Sequence, residues 1–551
     1  MLKLNNIQEL RNLDMEIAQV AQLAFSSGSR EKSLFVPTPQ ALKGVRATLH
    51  ELFGNVEELD VSHPIVDVLA NHFKDYLSSV QLGLDSLVDD PGKVYHMLGA
   101  KINGLCFGDH RPEQVRFDVV MENAKNMHLI WKEAIRPQLK KFDDMKLARL
   151  QNGFSEAHRA IYFIIPRLRT AFRGISNQRL REIRNALRGV LGNIENSVAV
   201  MSGCYKNHPD LPNKSAANGE KAVGANAEEY RRNLKNSVGV DLDEVLSWYE
   251  KEYGRTRDEV LSIASKLDNS VKTIEGAGKL LLKHAGPYDS PEEMFLVANG
   301  YLLRARAAAR KHIWLPEDEI CEIAPVPEHL KDFYPWGSYM GDYPSRYPLY
   351  NKMFLNGHNY ATITDGWLKI IALHEAYPGH HAMFIRSAID PIPETMKRGA
   401  SAVAFSEGAC IRSESVFEHV YEEDLYFPLM VALRRHHAMI RIKIDLMLFY
   451  FGKAVTEVQE FCKKEMGFDS MSAHAQLQIH ERMQGYFTGY YYGLKKISSI
   501  EKELDWGTKA FTGLLFSVGR VNITTFEKIA KLSPQDRHSL LHDFASKLQF
   551  S

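Results

Sequence analysis

Three imidazoles and a carboxylate fall within eight residues in Leu373-His374-Glu375-Ala376-Tyr377-Pro378-Gly379-His380-His381, behind the apolar run Ile370, Ile371, Ala372. Neutral imidazole nitrogens bind Zn²⁺, and a neighbouring carboxylate can take a proton from attacking water. These residue types suit metal-dependent hydrolysis. In this reading His374 and Glu375 are ligand and general base.

The pair resembles the zincin motif H-E-x-x-H, in which one helix face carries ligands at i and i+4. Here position i+4 from His374 is Pro378, which cannot ligate. On a regular helix the i+6 residue His380 lies about 120° around from His374. His381, at i+7, lies about 20° around but some 10 Å along the axis. Pro378 has no N–H for the His374 carbonyl and its ring clashes there, and Gly379 eases a distortion. The spacing therefore predicts a helix broken at Pro378-Gly379, with His380 swung back towards His374. His381 is the alternative ligand, or a group behind the ligands.

A zinc site needs a third protein ligand and an open position. Glu407, in Phe405-Ser406-Glu407-Gly408-Ala409-Cys410, is the best candidate, on a helix antiparallel to the first. Glu414, seven residues on and on nearly the same face, could orient a ligand. Further on, His480-Glu481-Arg482 precedes a segment rich in tyrosine and glycine, Gly485 to Gly493. Phenol hydroxyls suit donation to a tetrahedral oxyanion, and glycines let backbone approach a substrate. An aromatic core face would show the same i, i+4 spacing of Tyr486 and Tyr490. Arg441 and Asp445 are also i and i+4, which a helix salt bridge explains.

The elements that position these groups read as helices. Residues 1–204 form an N-terminal helical region, with apolar residues at three- and four-residue spacing over 7–24, 64–79, 114–135 and 178–201. Asn177 is placed to cap the last of these. Residues 205–227 lack apolar periodicity and read as a loop or linker. Residues 228–551 form the helical region that carries the motif, continuous with the first, with helices expected at 243–253 and 256–267. Ser290-Pro291-Glu292-Glu293 is a helix start with a cap, a first-turn proline and acidic residues. Residues 314–360 mix prolines with aromatics, and short strands or extended loops are expected there; such a strand edge can hold a peptide backbone. Thr364 or Asp365 then caps the motif helix. The fold class is mainly α: a large helical body with one small strand or extended-loop element near 314–360.

The 551 residues carry 68 basic and 68 acidic side chains, so the net charge is zero. That gives no support for nucleic-acid or polybasic membrane partners. No signal-peptide core or membrane-length apolar run is present. Five separated cysteines without a C-x-x-C suit reduced thiols and a cytoplasmic setting. Any metal must then be held by histidines and carboxylates.

His-Glu-Ala-Tyr-Pro-Gly-His-His, then Phe-x-Glu-Gly and the tyrosine-glycine segment, together resemble the bacterial family catalogued as domain of unknown function 885. The resemblance is firmest over 290–500 and implies a mostly helical, zincin-like metallopeptidase or metallocarboxypeptidase. Gly485-Tyr486-Phe487-Thr488-Gly489-Tyr490-Tyr491 is also similar to the Gly-Tyr-x-x-x-Tyr-Tyr segment of the thimet oligopeptidase and neurolysin family. That likeness implies Tyr486 and Tyr490 as oxyanion or substrate donors, with His480 as a helper. The chain departs from the family after Glu-Gly, where Trp-Ala-Leu-Tyr-Ala-Glu is usual and Ala409-Cys410-Ile411-Arg412-Ser413-Glu414 stands here.

The expectation is a Zn²⁺ hydrolase of short peptides or small amides. His374, His380 and Glu407 hold the metal, Glu375 is the base, and Tyr486, Tyr490 and His480 serve the substrate. Two alternatives are a biosynthetic enzyme acting on a non-peptide amide and a non-catalytic binding protein on the same scaffold.

Overall fold

The computed structural model describes residues 4–24, 35–108, 111–202, 225–284, 288–326, 328, 331, 336–340, 349–399, 402–466 and 470–545. The architecture is mainly α with one small sheet. Most of the expected 205–227 loop, and several of the prolines and aromatics of 327–348, lie outside the described residues. The chain packs as two units, one comprising Met1–Arg11, Asp60–Tyr76 and Lys214–Ser551, the other Asn12–Leu59 and Leu77–Asn213. Among the described residues no helix is long and apolar enough to cross a membrane.

The second unit is built from helices that bury Leu98, Ile102, Phe117, Val120, Leu150, Phe154 and Leu187. Its helices Lys93–Asn103 and Asp144–Ile164 approach closely: a Cβ on Gly153 would lie 2.2 Å from the Gly92 carbonyl oxygen. The helix Asn177–Ser202 takes its cap from the Ser176 hydroxyl, which accepts from Arg179 N at 3.4 Å. Asn177, the expected cap, is the first helical residue, because helix start signals fix a terminus only to within a residue or two.

The first unit carries the motif. The helices used below are α1 (Leu242–Leu267), α2 (Pro291–Ala309), α3 (Asp365–Ile371), α4 (His380–Ile389), α5 (Val403–Val416), α6 (Phe427–Asp445), α7 (Ser470–Arg482) and α8 (Thr488–Leu504). Helix α1 runs unbroken where two helices were expected, because Gly254 lowers helix propensity without forcing a break. Ser290 caps α2 by accepting from Glu293 N at 3.1 Å. Among the described residues, three strands fall within 314–360: β1 (Ile320–Pro325), β2 (Gly337–Met340) and β3 (Tyr350–Leu355). Their order is β1-β3-β2, with β1 parallel and β2 antiparallel to β3, and Tyr339 opposite Met353. Strand β2 is therefore an edge.

Helices α5 and α8 touch backbone to backbone. A Cβ on Gly493 would lie 1.8 Å from the Ala404 carbonyl oxygen, and one on Gly408 would lie 2.3 Å from the Gly493 carbonyl carbon. Only glycine permits this crossing, and the crossing sets Glu407 on α5 against the tyrosines leading into α8.

Candidate metal centre

Thr364 caps α3, its hydroxyl accepting from Trp367 N at 3.3 Å. The helix then widens into a π turn over Ala372–Ala376. At Tyr377 the backbone turns extended (φ −137°, ψ 110°), Pro378 follows through a cis peptide, and α4 starts at His380. The break falls where the proline placed it but begins earlier, in the π turn. Gly379 lies flat against the end of the first helix; a Cβ there would sit 2.0 Å from the His374 carbonyl oxygen. This fold-back brings the His380 ring to 5.1 Å from the His374 ring, centroid to centroid.

Glu407, 3% exposed, projects from α5 into this corner. Its Oε2 lies 3.2 Å from His374 Nε2 and 3.3 Å from His380 Nε2. His374 Nδ1 lies 2.7 Å from Glu414 Oε1, about two turns further along the same face of α5. A neutral imidazole has a single N–H, yet both His374 nitrogens face carboxylate oxygens. A proton shared between His374 Nε2 and Glu407, or a cation on that side, satisfies both atoms. Burial opposes protonation of His374, but Glu407 and Glu414 outweigh it and hold the imidazole pKa at about 9. Burial likewise raises the Glu407 carboxyl, and His380 and His374 outweigh it, leaving Glu407 well below the usual carboxylate range. Two imidazole nitrogens and one carboxylate oxygen facing each other, with a carboxylate behind one imidazole, is a donor set that suits zinc.

Cys410, one turn from Glu407, was set aside with the other cysteines as a ligand, yet it lies beside both histidines. Its sulfur and one nitrogen each from His374 and His380 all lie within 4.8 Å of one another. Burial, then Glu407, Glu375 and Glu414, push its thiol pKa well above the ordinary value. Glu375 accepts a hydrogen bond from the backbone N–H of Tyr339 at 3.1 Å, which puts the outer edge of β2 beside it.

Tyr486 donates to Glu407 Oε1, and the Tyr490 hydroxyl lies 3.5 Å from that of Tyr486. The Tyr490 ring stacks on His374 at 6.0 Å and 8°. Burial, then Glu407, raises both phenol pKa values well above the ordinary range, so each hydroxyl keeps its proton. His480 is turned elsewhere. Its Nδ1 lies 2.6 Å from Asp445 and its ring packs on Phe487, the residue between Tyr486 and Thr488. Asp445 is taken by His480 and by the Thr488 hydroxyl at 2.8 Å. The expected Arg441–Asp445 ion pair is accordingly not among the ion pairs of the described residues.

His381 is fully buried and faces away from Glu407. Its Nε2 lies 2.7 Å from Glu319 Oε2 and its Nδ1 3.3 Å from the Tyr339 hydroxyl. Glu319 also accepts from Tyr377 at 2.6 Å and from Arg306 Nε at 2.6 Å. Both nitrogens of His381 are thus engaged behind the candidate ligands, and His380 is the one beside Glu407. Nothing local in the sequence signals Glu319, which only the packing of β1 against the motif brings near.

Residues 128–516 match the family described as bacterial protein of unknown function, DUF885. The chain belongs to that family. The DUF885 match includes every residue of the candidate site. Two solved structures share the fold. One, named "putative lipoprotein" from Colwellia psychrerythraea, has a TM-score of 0.67 at 14% identity, over 94% of this chain and 98% of that one. The other, a "putative lipoprotein of unknown function" from Shewanella oneidensis, has a TM-score of 0.69 at 13% identity, over 95% and 99%. No curated protein matches the chain.

Proposed function

We propose that this DUF885 protein is a zinc-dependent hydrolase of amide bonds in short peptides. The observation that carries the reading is the single oxygen of Glu407 faced by Nε2 of both His374 and His380, at 3.2 and 3.3 Å. His374, His380 and Glu407 would hold the ion, and Glu414 fixes the His374 ring by accepting from Nδ1. When bound, Zn²⁺ supplies Lewis acidity towards a carbonyl oxygen and lowers the pKa of water.

The chain's own groups do the rest. Glu375, adjacent to His374 in sequence and only partly buried, takes the proton of the attacking water and passes it to the leaving nitrogen. Tyr490, kept protonated by burial, donates to the developing oxyanion, and Tyr486 does so once its hydroxyl turns from Glu407. The outer edge of β2, which reaches Glu375 through Tyr339, can align an extended peptide backbone by strand addition.

The test is zinc content together with turnover of a short-peptide library. Purified protein should carry about one zinc per chain, since three protein ligands make one site. Glu375→Gln should keep the metal and the fold while losing nearly all turnover. Undiminished turnover in that variant removes Glu375 as the base, and a protein that binds no zinc removes the whole reading.

A further inference from the structure

Helix α6 buries two arginines that the proposed mechanism does not use. Arg434 is 5% exposed and Arg441 7% exposed, and Gln476 on α7 is 4% exposed. The Nε of each arginine and Nε2 of Gln476 lack a hydrogen-bond partner among the described residues. Three buried donor groups therefore lack a hydrogen bond, in a fold where buried polar groups are ordinarily satisfied. Arg441 Nη2 reaches only Gln476 Oε1, at 3.5 Å. Arg434 Nε lies 3.5 Å from Glu414 Oε1, an oxygen already held by His374. Asp445, the carboxylate one turn from Arg441, is taken by His480 and Thr488.

Both guanidinium groups, seven residues apart on α6, approach the same aromatic ring. Their central carbons lie 5.6 and 5.7 Å from the Tyr490 ring centroid, and Arg441 also lies 4.7 Å from that of Phe487. Aromatic faces offset part of the cost of burying a cation, but a desolvated guanidinium still calls for an anion. Burial, then Arg434, lowers the Arg441 pKa to about 10, against the opposing pull of Tyr490 and Glu407.

We infer that Arg441, with Arg434 and Gln476, forms a subsite for a carboxylate of the substrate. It rests on the hydrolase reading for its placement, because Tyr490, the ring that both guanidinium groups approach, also stacks on the candidate metal ligand His374. One ring of separation corresponds to one or two residues of extended chain, at roughly 3.3–3.6 Å each. The carboxylate thus belongs to a residue one or two positions from the amide that is cleaved. A guanidinium fork recognises a carboxylate through two parallel N–H bonds.

The experiment measures binding, not turnover. Zinc-loaded Glu375→Gln protein is titrated calorimetrically with acetyl-Ala-Ala-Ala as the free acid, the same peptide as its amide, and acetyl-Ala-Glu-Ala-amide. At least one acid should bind about tenfold or more tighter than the uncharged amide, the scale of a charge-assisted hydrogen bond. The first acid doing so identifies a terminal carboxylate, and the third peptide doing so identifies a side-chain carboxylate. Adding Arg441→Met should abolish the preference, and Arg441→Lys should restore part of it. If both substitutions prevent folding, the comparison of acid and amide on the parent protein still decides. Equal binding of acid and amide, or binding of neither, overturns the subsite, as does a preference that survives Arg441→Met. Turnover of neutral amides by wild-type protein would leave the hydrolase reading standing in that event.

Discussion

Replacing Gly379 with alanine tests whether the fold-back after α3 gathers the imidazoles. An added Cβ would lie 2.0 Å from the His374 carbonyl oxygen and 2.5 Å from the Leu373 carbonyl oxygen. Both are backbone atoms, so no side chain can rotate aside. Reaching an ordinary contact requires a displacement of more than about 1 Å, which overpacking data place at about 1–3 kcal/mol or more. The displacement acts on the junction that sets His380 against His374. Losing a partner behind a ligand costs about 10–100-fold in metal affinity, so displacing a ligand should cost at least ~100-fold. Competition with a chelator reads the zinc affinity, and denaturant unfolding of the metal-free protein reads the stability. Gly254→Ala is the control: nothing lies within 4 Å of its added Cβ, in the middle of α1. That change should stabilise by up to about 1 kcal/mol and leave zinc affinity unchanged. Zinc binding by Gly379→Ala with wild-type affinity would refute the account of how the break assembles the site.

Glu414→Gln removes the carboxylate from His374 Nδ1 without changing size; zinc affinity should fall about 10–100-fold with little loss of fold, and an unchanged dissociation constant would show that Glu414 does not orient the ligand. Gly493→Ala puts a Cβ 1.8 Å from the Ala404 carbonyl oxygen; unfolding free energy should fall by about 3 kcal/mol or more, and a midpoint equal to wild type would contradict the close crossing of α5 and α8. His72 and His436 are buried, and burial lowers each from 6.5 to about 4. The unfolded chain therefore binds protons that the folded one refuses between about pH 6.5 and 4. Stability is full above pH 6.5 and falls through that window, by about 3 kcal/mol for each histidine. Unfolding midpoints of the double substitution His72→Asn, His436→Asn should show a shallower acid decline than wild type, and an equally steep one would reject the assignment.

The α class, the break at Pro378-Gly379 and the candidacy of His374, His380 and Glu407 are legible along the chain because each depends on local rules. Apolar spacing writes the helices, a proline without an N–H interrupts one, and residue chemistry limits which groups can ligate zinc. The small sheet could be located only as a proline-aromatic stretch, since strand pairing is non-local and the order β1-β3-β2 follows from packing.

What tertiary structure alone decided is which partner each titratable group receives. His381 was the alternative to His380 in sequence, and Glu319, 62 residues earlier, holds it behind the site. Asp445 stands one turn from Arg441, and an i, i+4 pair was the local expectation; α7 and α8 brought His480 and Thr488 closer instead. That exchange leaves a buried guanidinium without its neighbour's carboxylate. Residue types set what chemistry is possible at each position. The competition among helices for a few buried charges, in a medium where an unpaired charge is costly, determines which of those possibilities the fold adopts.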